Sequence, residues 1–325
     1  DGDKDPKTTD NGNETAMKVA MITDYGDITD QSFNQTTWEA VVAFGKDNNV
    51  ETKYYKPTSN DTAGRVASVE LAIAEGYNVI VMPGYAFGGT IVEVAPNYPD
   101  VKFVALDVAK GDLLETAVAN KGESYDYNPD NWKLEDYVDM SNVYCAIYQE
   151  ELAGYMAGYA AVKLGYTKLG FSGGGGGDNP ACCRYGYGFV QGANAAAAEM
   201  GVNVEMNYSW QYGASFSASP ELQTMISGWY ANGTEVVFAC GGSMFQSISA
   251  AAAANDGLVI GVDVDQSSQS DTVITSAMKG LADATQWACA KAFDGTWADM
   301  GGQADLGAAD NATGLPTATW SMKNY

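Results

Sequence analysis

At 325 residues the chain exceeds the size at which one hydrophobic core usually stops growing, and its 46% hydrophobic and 18% charged content is that of a globular protein without a long uncharged apolar run. Its formal charge of −24, from 41 acidic against 17 basic side chains, repels phosphate backbones and anionic head groups and argues against nucleic acid as a partner. The absence of histidine removes histidine-dependent nucleophilic triads, histidine-ligated zinc and the commonest general base near neutral pH.

The chain opens on "DGDKDPKTTDNGNETA", residues 1–16, a polar run without periodicity that reads as a disordered tether. Such a segment fits a mature or trimmed exported protein whose targeting signal has been removed. From Lys18 short apolar runs alternate with helical stretches: "KVAMIT", a helix from about Phe33, "GRVASVELAIAEG", "NVIVMPG" and "VKFVALD". Repeated βαβ units of this kind predict a parallel sheet. In the second helix Val66, Val69 and Ile73 share one face, and Gly76 sits where a left-handed C-cap belongs.

Between the first strand and helix lies "TDYGDITDQSFN", which crowds Asp24, Asp27 and Asp30 beside Phe33 and Asn34. A single aspartate there serves as a helix N-cap, accepting backbone N–H groups without any ligand. The second half of the chain then repeats the first. "AIAEGYNVIVMPG" followed by "VKFVALD" returns as "WYANGTEVVFACGG" followed by "LVIGVDVD", which places Asp107 and Asp263, and Gly84 and Gly241, at corresponding strand ends. Asp24 likewise matches Gly173. Two α/β lobes follow, and because ligands gather at the carboxyl ends of parallel strands, Asp24, Asp107 and Asp263 are expected to converge on one cleft.

Other features carry less. The cysteines at 145, 182, 183, 240 and 289 lack CxxC spacing and read as buried apolar residues, with a strained vicinal disulfide of Cys182 and Cys183 as the alternative. The glycines of "FSGGGGGDNP" are followed by no Lys-Ser or Lys-Thr and read as a flexible strand-end turn facing the cleft, not a phosphate loop. A phosphorylated ligand is electrostatically disfavoured among so many carboxylates unless Arg184 or Lys279 compensates.

"TDYGDITDQSFNQTTWEA" resembles the signature of the basic membrane protein family, the substrate-binding lipoproteins of ABC importers whose characterised members bind purine nucleosides. "NPACCRYGYGFVQGA", "GASFSASPE", "VVFACGGSMFQSISAA", "IGVDVDQ" and "VITSAMKG" follow in the family's order, from about Lys18 to Asp294. The resemblance implies a type I periplasmic binding protein fold, two Rossmann-like lobes joined by three crossovers. These are placed near Val143, Ser270 and Asp305, giving an N-terminal lobe of 17–143 plus 271–305 and a C-terminal lobe of 144–270 plus 306–325. It carries over Asp24, Phe33, Asn34, Asp107, Phe216, Gly242, Asp263 and Lys279 as ligand-binding residues. With a nucleoside as ligand, Phe33 and Phe216 would sandwich the base, Asn34 and Asp24 read its polar edge, and Asp263 and Lys279 hold the ribose.

The expected function is an extracytoplasmic receptor that closes two lobes on a nucleoside and delivers it to a membrane permease. It would act as a monomer, without a cofactor or metal and without chemistry. Two alternatives stand beside it: a carboxylate-based nucleoside hydrolase, and the same fold holding a sugar or signalling molecule. The chain departs from the family pattern at "KGESYDYNPDNWKLEDYVDMS", Lys121 to Ser141, expected near the cleft rim or hinge either as a lid or permease contact or as an inert surface excursion.

Overall fold

The computed structural model describes residues 16–300 and 302–319, so residues 1–15 of the expected tether lie outside the described residues. The first lobe runs β1 (Lys18–Ile22), α1 (Phe33–Asn48), β2 (Glu51–Tyr55), α2 (Thr62–Ala74), β3 (Val79–Pro83), α3 (Gly88–Val94), β4 (Lys102–Leu106), α4 (Lys110–Asn120) and β5 (Val143–Tyr148). The second runs α5 (Glu150–Lys163), β6 (Lys168–Gly173), α6 (Pro180–Met200), β7 (Glu205–Ser209), α7 (Pro220–Ala231), β8 (Val236–Cys240), α8 (Met244–Ala254), β9 (Leu258–Asp263) and β10 (Val273–Lys279). The chain returns to the first lobe for α9 (Leu281–Phe293) and β11 (Gln303–Leu306) and ends its described course with β12 (Thr313–Gly314) in the second.

Both sheets follow one plan, β2-β1-β3-β4-β5-β11 and β7-β6-β8-β9-β10-β12, parallel throughout except for the short antiparallel pair of β10 with β12. Central strands such as β3 and β8 are buried along their whole length, which is why their sequences are continuous apolar runs without alternation. Apolar helix faces cover both sides of each sheet. In the first lobe Val69, Ile91 and Leu113 pack on one side and Val41, Leu281 and Ala288 on the other.

Sheet membership corrects two of the expected crossings. β5 pairs with β4, so the chain changes sheet at Gln149, not near Val143; β10 pairs with β9, so the second change is at Gly280, not near Ser270; the third follows Leu306, next to the expected Asp305. The runs "VYCAIY" and "VITSAMK" look like first strands of new units, yet each extends the sheet before it. The three passages are hydrogen-bonded together: Gln149 N–H donates to Leu306 O (2.9 Å), Gly280 N–H to Ala312 O (2.7 Å), and the Tyr148 hydroxyl to Gly280 O (3.4 Å).

Two packing details position residues at the cleft between the lobes and just behind it. Helices α5 and α6 meet along a reciprocal glycine seam: a Cβ on Gly158 would stand 2.1 Å from Phe189 O, and one on Gly188 would stand 2.0 Å from Glu151 O. Only glycine permits this approach, and it brings Glu150 of α5 beside Arg184 of α6. The glycine run after β6 is likewise a packing device: a Cβ on Gly174 would lie 2.3 Å from the Phe216 ring, and one on Gly173 would lie 2.1 Å from the Trp210 ring. The expectation of a merely flexible turn is replaced by a floor under two aromatic rings.

Candidate functional site

A cleft of about 550 Å³ opens at the carboxyl ends of the strands of both lobes, where each strand order reverses. All eight residues singled out in the sequence line it: Asp24, Phe33, Asn34 and Asp107 from the first lobe, Phe216, Gly242, Asp263 and Lys279 from the second. Three of the non-glycine residues among them hold left-handed backbone, with φ of 61° at Asp107, 56° at Phe216 and 67° at Asp263. Left-handed conformations cost non-glycine residues about 1–3 kcal/mol each and persist where the surrounding structure over-determines them.

The turn after β1 divides its acids between two tasks. Asp30 is the buried anchor of α1: its carboxylate accepts the N–H groups of Ser32 (3.0 Å), Asn34 (2.9 Å) and Gln35 (3.0 Å), the helix-capping role. Burial raises its pKa despite these bonds. Asp27, at the cleft wall, is paired with Lys56 (2.7 Å). Asp24 remains in the cleft, with Oδ1 accepting from the N–H groups of Tyr25 (2.7 Å) and Gly26 (2.8 Å). Asn34 donates Nδ2 to both Asp24 (3.2 Å) and Asp30 (3.1 Å), which leaves its buried Oδ1 without a protein partner. An oxygen in the place of Nδ2 would face two carboxylates, so the amide orientation follows from the neighbours.

Lys279, at the last position of β10, is the electrostatic centre. Its Nζ donates to Asp107 Oδ2 (2.6 Å) and Glu150 Oε1 (3.2 Å), with Asp263 Oδ1 at 3.9 Å. The rings of Phe33, Tyr148 and Tyr185 surround it, with centroids 5.0, 5.5 and 5.7 Å away. Burial works against its charge, but the three carboxylates outweigh burial and push its pKa well above the lysine range. Burial likewise pushes Asp107 up to about 6, against the pull of Lys279 and with Glu150 and Asp263 adding to the rise. One oxygen of Asp107 has no protein partner.

Asp263 is engaged from both lobes: Ser32 Oγ donates to Oδ2 (2.6 Å) and the Tyr185 hydroxyl to Oδ1 (3.3 Å). The same edge carries two further bonds between lobes, Gln266 Nε2 to Gln31 O (3.0 Å) and Gln31 Nε2 to Gln269 Oε1 (2.9 Å).

Several participants escape a reading of the sequence. Glu150 looks like an ordinary acid in a helical first turn, and Ser32, Tyr148 and Tyr185 carry no local signal. Arg184, considered above as a phosphate partner, is instead bound to Glu150, Nε to Oε2 at 2.6 Å. The segment from Lys121 to Ser141 contributes nothing to the cleft lining and packs on the first-lobe core through Trp132, Leu134 and Val138, its rings chained through Tyr125, Trp132 and Tyr137.

The profile of the Bmp family, described as ABC transporter substrate-binding protein PnrA-like, matches residues 17–324. The chain belongs to this family. It is 28% identical, over 92% of its length and 84% of the relative's, to the ABC transporter nucleoside-binding protein BmpA of Lactococcus lactis subsp. cremoris. It is 25% identical, over 92% of its length and 68% of the relative's, to an uncharacterized lipoprotein of Pyrococcus abyssi. Among solved structures it superposes with a TM-score of 0.74 on a solute-binding protein of an ABC transporter system from Aeropyrum pernix K1, at 23% identity, covering 93% of this chain and 76% of that one. The fold is that of type I periplasmic binding proteins. A Bmp-family protein is a non-enzymatic substrate-binding component of an ABC transporter, which implies a small-molecule ligand and a membrane permease as partners. The hydrolase alternative therefore falls away. Among the described residues no helix is long and apolar enough to cross a membrane.

Proposed function

We propose that this Bmp-family protein binds a nucleoside, a purine nucleoside in particular, between its lobes and hands it as a monomer to the permease. It would work outside the cytoplasm, tethered to the membrane through its N-terminal segment, a reading supported by the lipoprotein name of one relative. The observation that carries the reading is the composition of the cleft: one aromatic from each lobe, Phe33 and Phe216, shares it with two strand-end carboxylates gathered around Lys279. A planar base suits the rings, and vicinal ribose hydroxyls suit the carboxylates. The nucleoside-binding relative supports the same choice.

Calorimetric titration of ligand-stripped protein with adenosine, guanosine, inosine, cytidine, uridine and ribose tests this directly. Purine nucleosides should bind most tightly, and Phe33→Ala should weaken them by about ten- to a hundredfold, the scale of base–aromatic stacking. Ribose binding as tightly as any nucleoside, or an unchanged affinity in Phe33→Ala, would sink the base-stacking reading and favour a sugar.

A further inference from the structure

Glu150 is the fully buried carboxylate of the Lys279 network, and it does not line the cleft. It stands directly after the first change of sheet and holds two cations at once, Lys279 through Oε1 at 3.2 Å and Arg184 through Oε2 at 2.6 Å. Asp107 and Asp263 share Lys279 with it. Three carboxylates thus divide two cations, one negative charge is left over, and neither cation is free for an incoming anion.

The cleft lining points the same way, with five aspartates against three cations. Of the other two cations, Lys56 is bound to Asp27 at 2.7 Å, and Arg65 donates Nε to Asp24 O at 3.0 Å. What the cleft offers instead is unpartnered acceptor oxygen, on Asp107 and on Asn34. Hydroxyl and N–H groups satisfy such atoms; phosphate oxygens repel them.

We propose that Glu150 sets the charge of the ligand the cleft accepts: by occupying both Lys279 and Arg184 it makes the site take uncharged nucleosides and refuse their phosphate esters. The proposal rests on the nucleoside reading above and assigns a selectivity to a residue that need not touch the ligand. A phosphate monoester carries a charge of about −1.5 to −2 near neutral pH, so the surplus carboxylate raises the cost of its entry while leaving a neutral nucleoside almost unaffected. Glu150→Gln keeps the shape and an acceptor oxygen but leaves the network neutral and Lys279 less engaged.

The test is the affinity ratio of inosine to inosine 5′-monophosphate, measured by calorimetry on the full chain. Wild type should favour inosine, and Glu150→Gln should narrow the ratio by at least about tenfold, chiefly through tighter monophosphate binding, with the narrowing shrinking as salt is added. Arg184→Met should move the ratio the other way, because it deepens the negative surplus. Glu221→Gln removes the same charge from an exposed position outside the Lys279 network and should leave the ratio within about threefold, since exposed charge is screened.

A ratio unchanged in Glu150→Gln, or both affinities falling in parallel, would overturn the proposal and leave Glu150 a purely structural residue. Should that variant fail to fold, a ratio that does not widen in Arg184→Met would overturn it equally. Wild type that binds no inosine would defeat the nucleoside reading itself, an outcome distinct from inosine binding with insensitive ratios.

Discussion

Asp107 and Asp263 stand at corresponding strand ends of two lobes built on one strand order, with nearly the same left-handed backbone, yet their surroundings differ. Asp107 meets Lys279 at 2.6 Å, keeps one buried oxygen without a partner, and has its pKa raised to about 6 by burial. Asp263 has both oxygens engaged, by Ser32 from the opposite lobe and by Tyr185 from its own, and lies farther from the ammonium at 3.9 Å. The repeat reproduces the backbone that delivers a carboxylate to the cleft. Neighbours outside the repeat decide whether that carboxylate is poised for a ligand or already fastening the lobes together.

The largest effect that bears on this contrast comes from removing the shared cation. Lys279→Met leaves Asp107, Glu150 and Asp263 buried without it and should destabilise the protein by about 3–5 kcal/mol in denaturant unfolding. Adding Asp107→Asn should recover about 1–2 kcal/mol, since the carboxylate with the raised pKa contributes most of the strain. No recovery would mean that the two aspartates are electrostatically equivalent.

A second effect is read from pH. Burial raises the carboxyls of Asp107 and Asp112 to about 6, from ordinary values near 3.8. Between these values the folded state binds more protons than the unfolded chain, so their stabilisation is fully present below about pH 4 and is lost as pH rises through 6. Ligand-free protein should therefore lose about 1–3 kcal/mol per group between about pH 4 and pH 7, and Asp107→Asn should lose about half as much as wild type. An identical pH profile for wild type and variant would show that Asp107 is not the titrating member of the pair.

The smallest effect isolates the other aspartate. Ser32→Ala removes the hydroxyl that reaches Asp263 from the opposite lobe and should lower the melting stability of ligand-free protein by about 1–2 kcal/mol. It should leave the pH profile unchanged, because Asp107 makes no use of Ser32. A shifted profile would merge two roles that the structure keeps apart.

Much of this arrangement was legible in the sequence because its signals are local. An aspartate closing each of two repeated strands, and a Phe-Asn pair opening a helix after an acidic turn, are short-range patterns, and all these side chains line one cleft. Asp30 shows where the local signal divides: it looks like Asp24 in sequence but spends its carboxylate on backbone N–H groups. What stayed hidden depends on tertiary adjacency. Glu150 meets Arg184 across 34 positions and Lys279 across 129, a meeting that needs the α5–α6 seam and two changes of sheet to be in place. The first two crossings were misplaced for the same reason, since an apolar strand carries no mark of which sheet it will join.

The bonds that span the cleft edge, from Ser32 to Asp263 and between Gln31, Gln266 and Gln269, are all polar. Water can replace such bonds at little net cost, and surfaces of this kind do not become sticky when they part. A receptor fastened in this way can be wetted and dried at its seam through many rounds of loading, with each opening leaving nothing that a neighbouring molecule would adhere to.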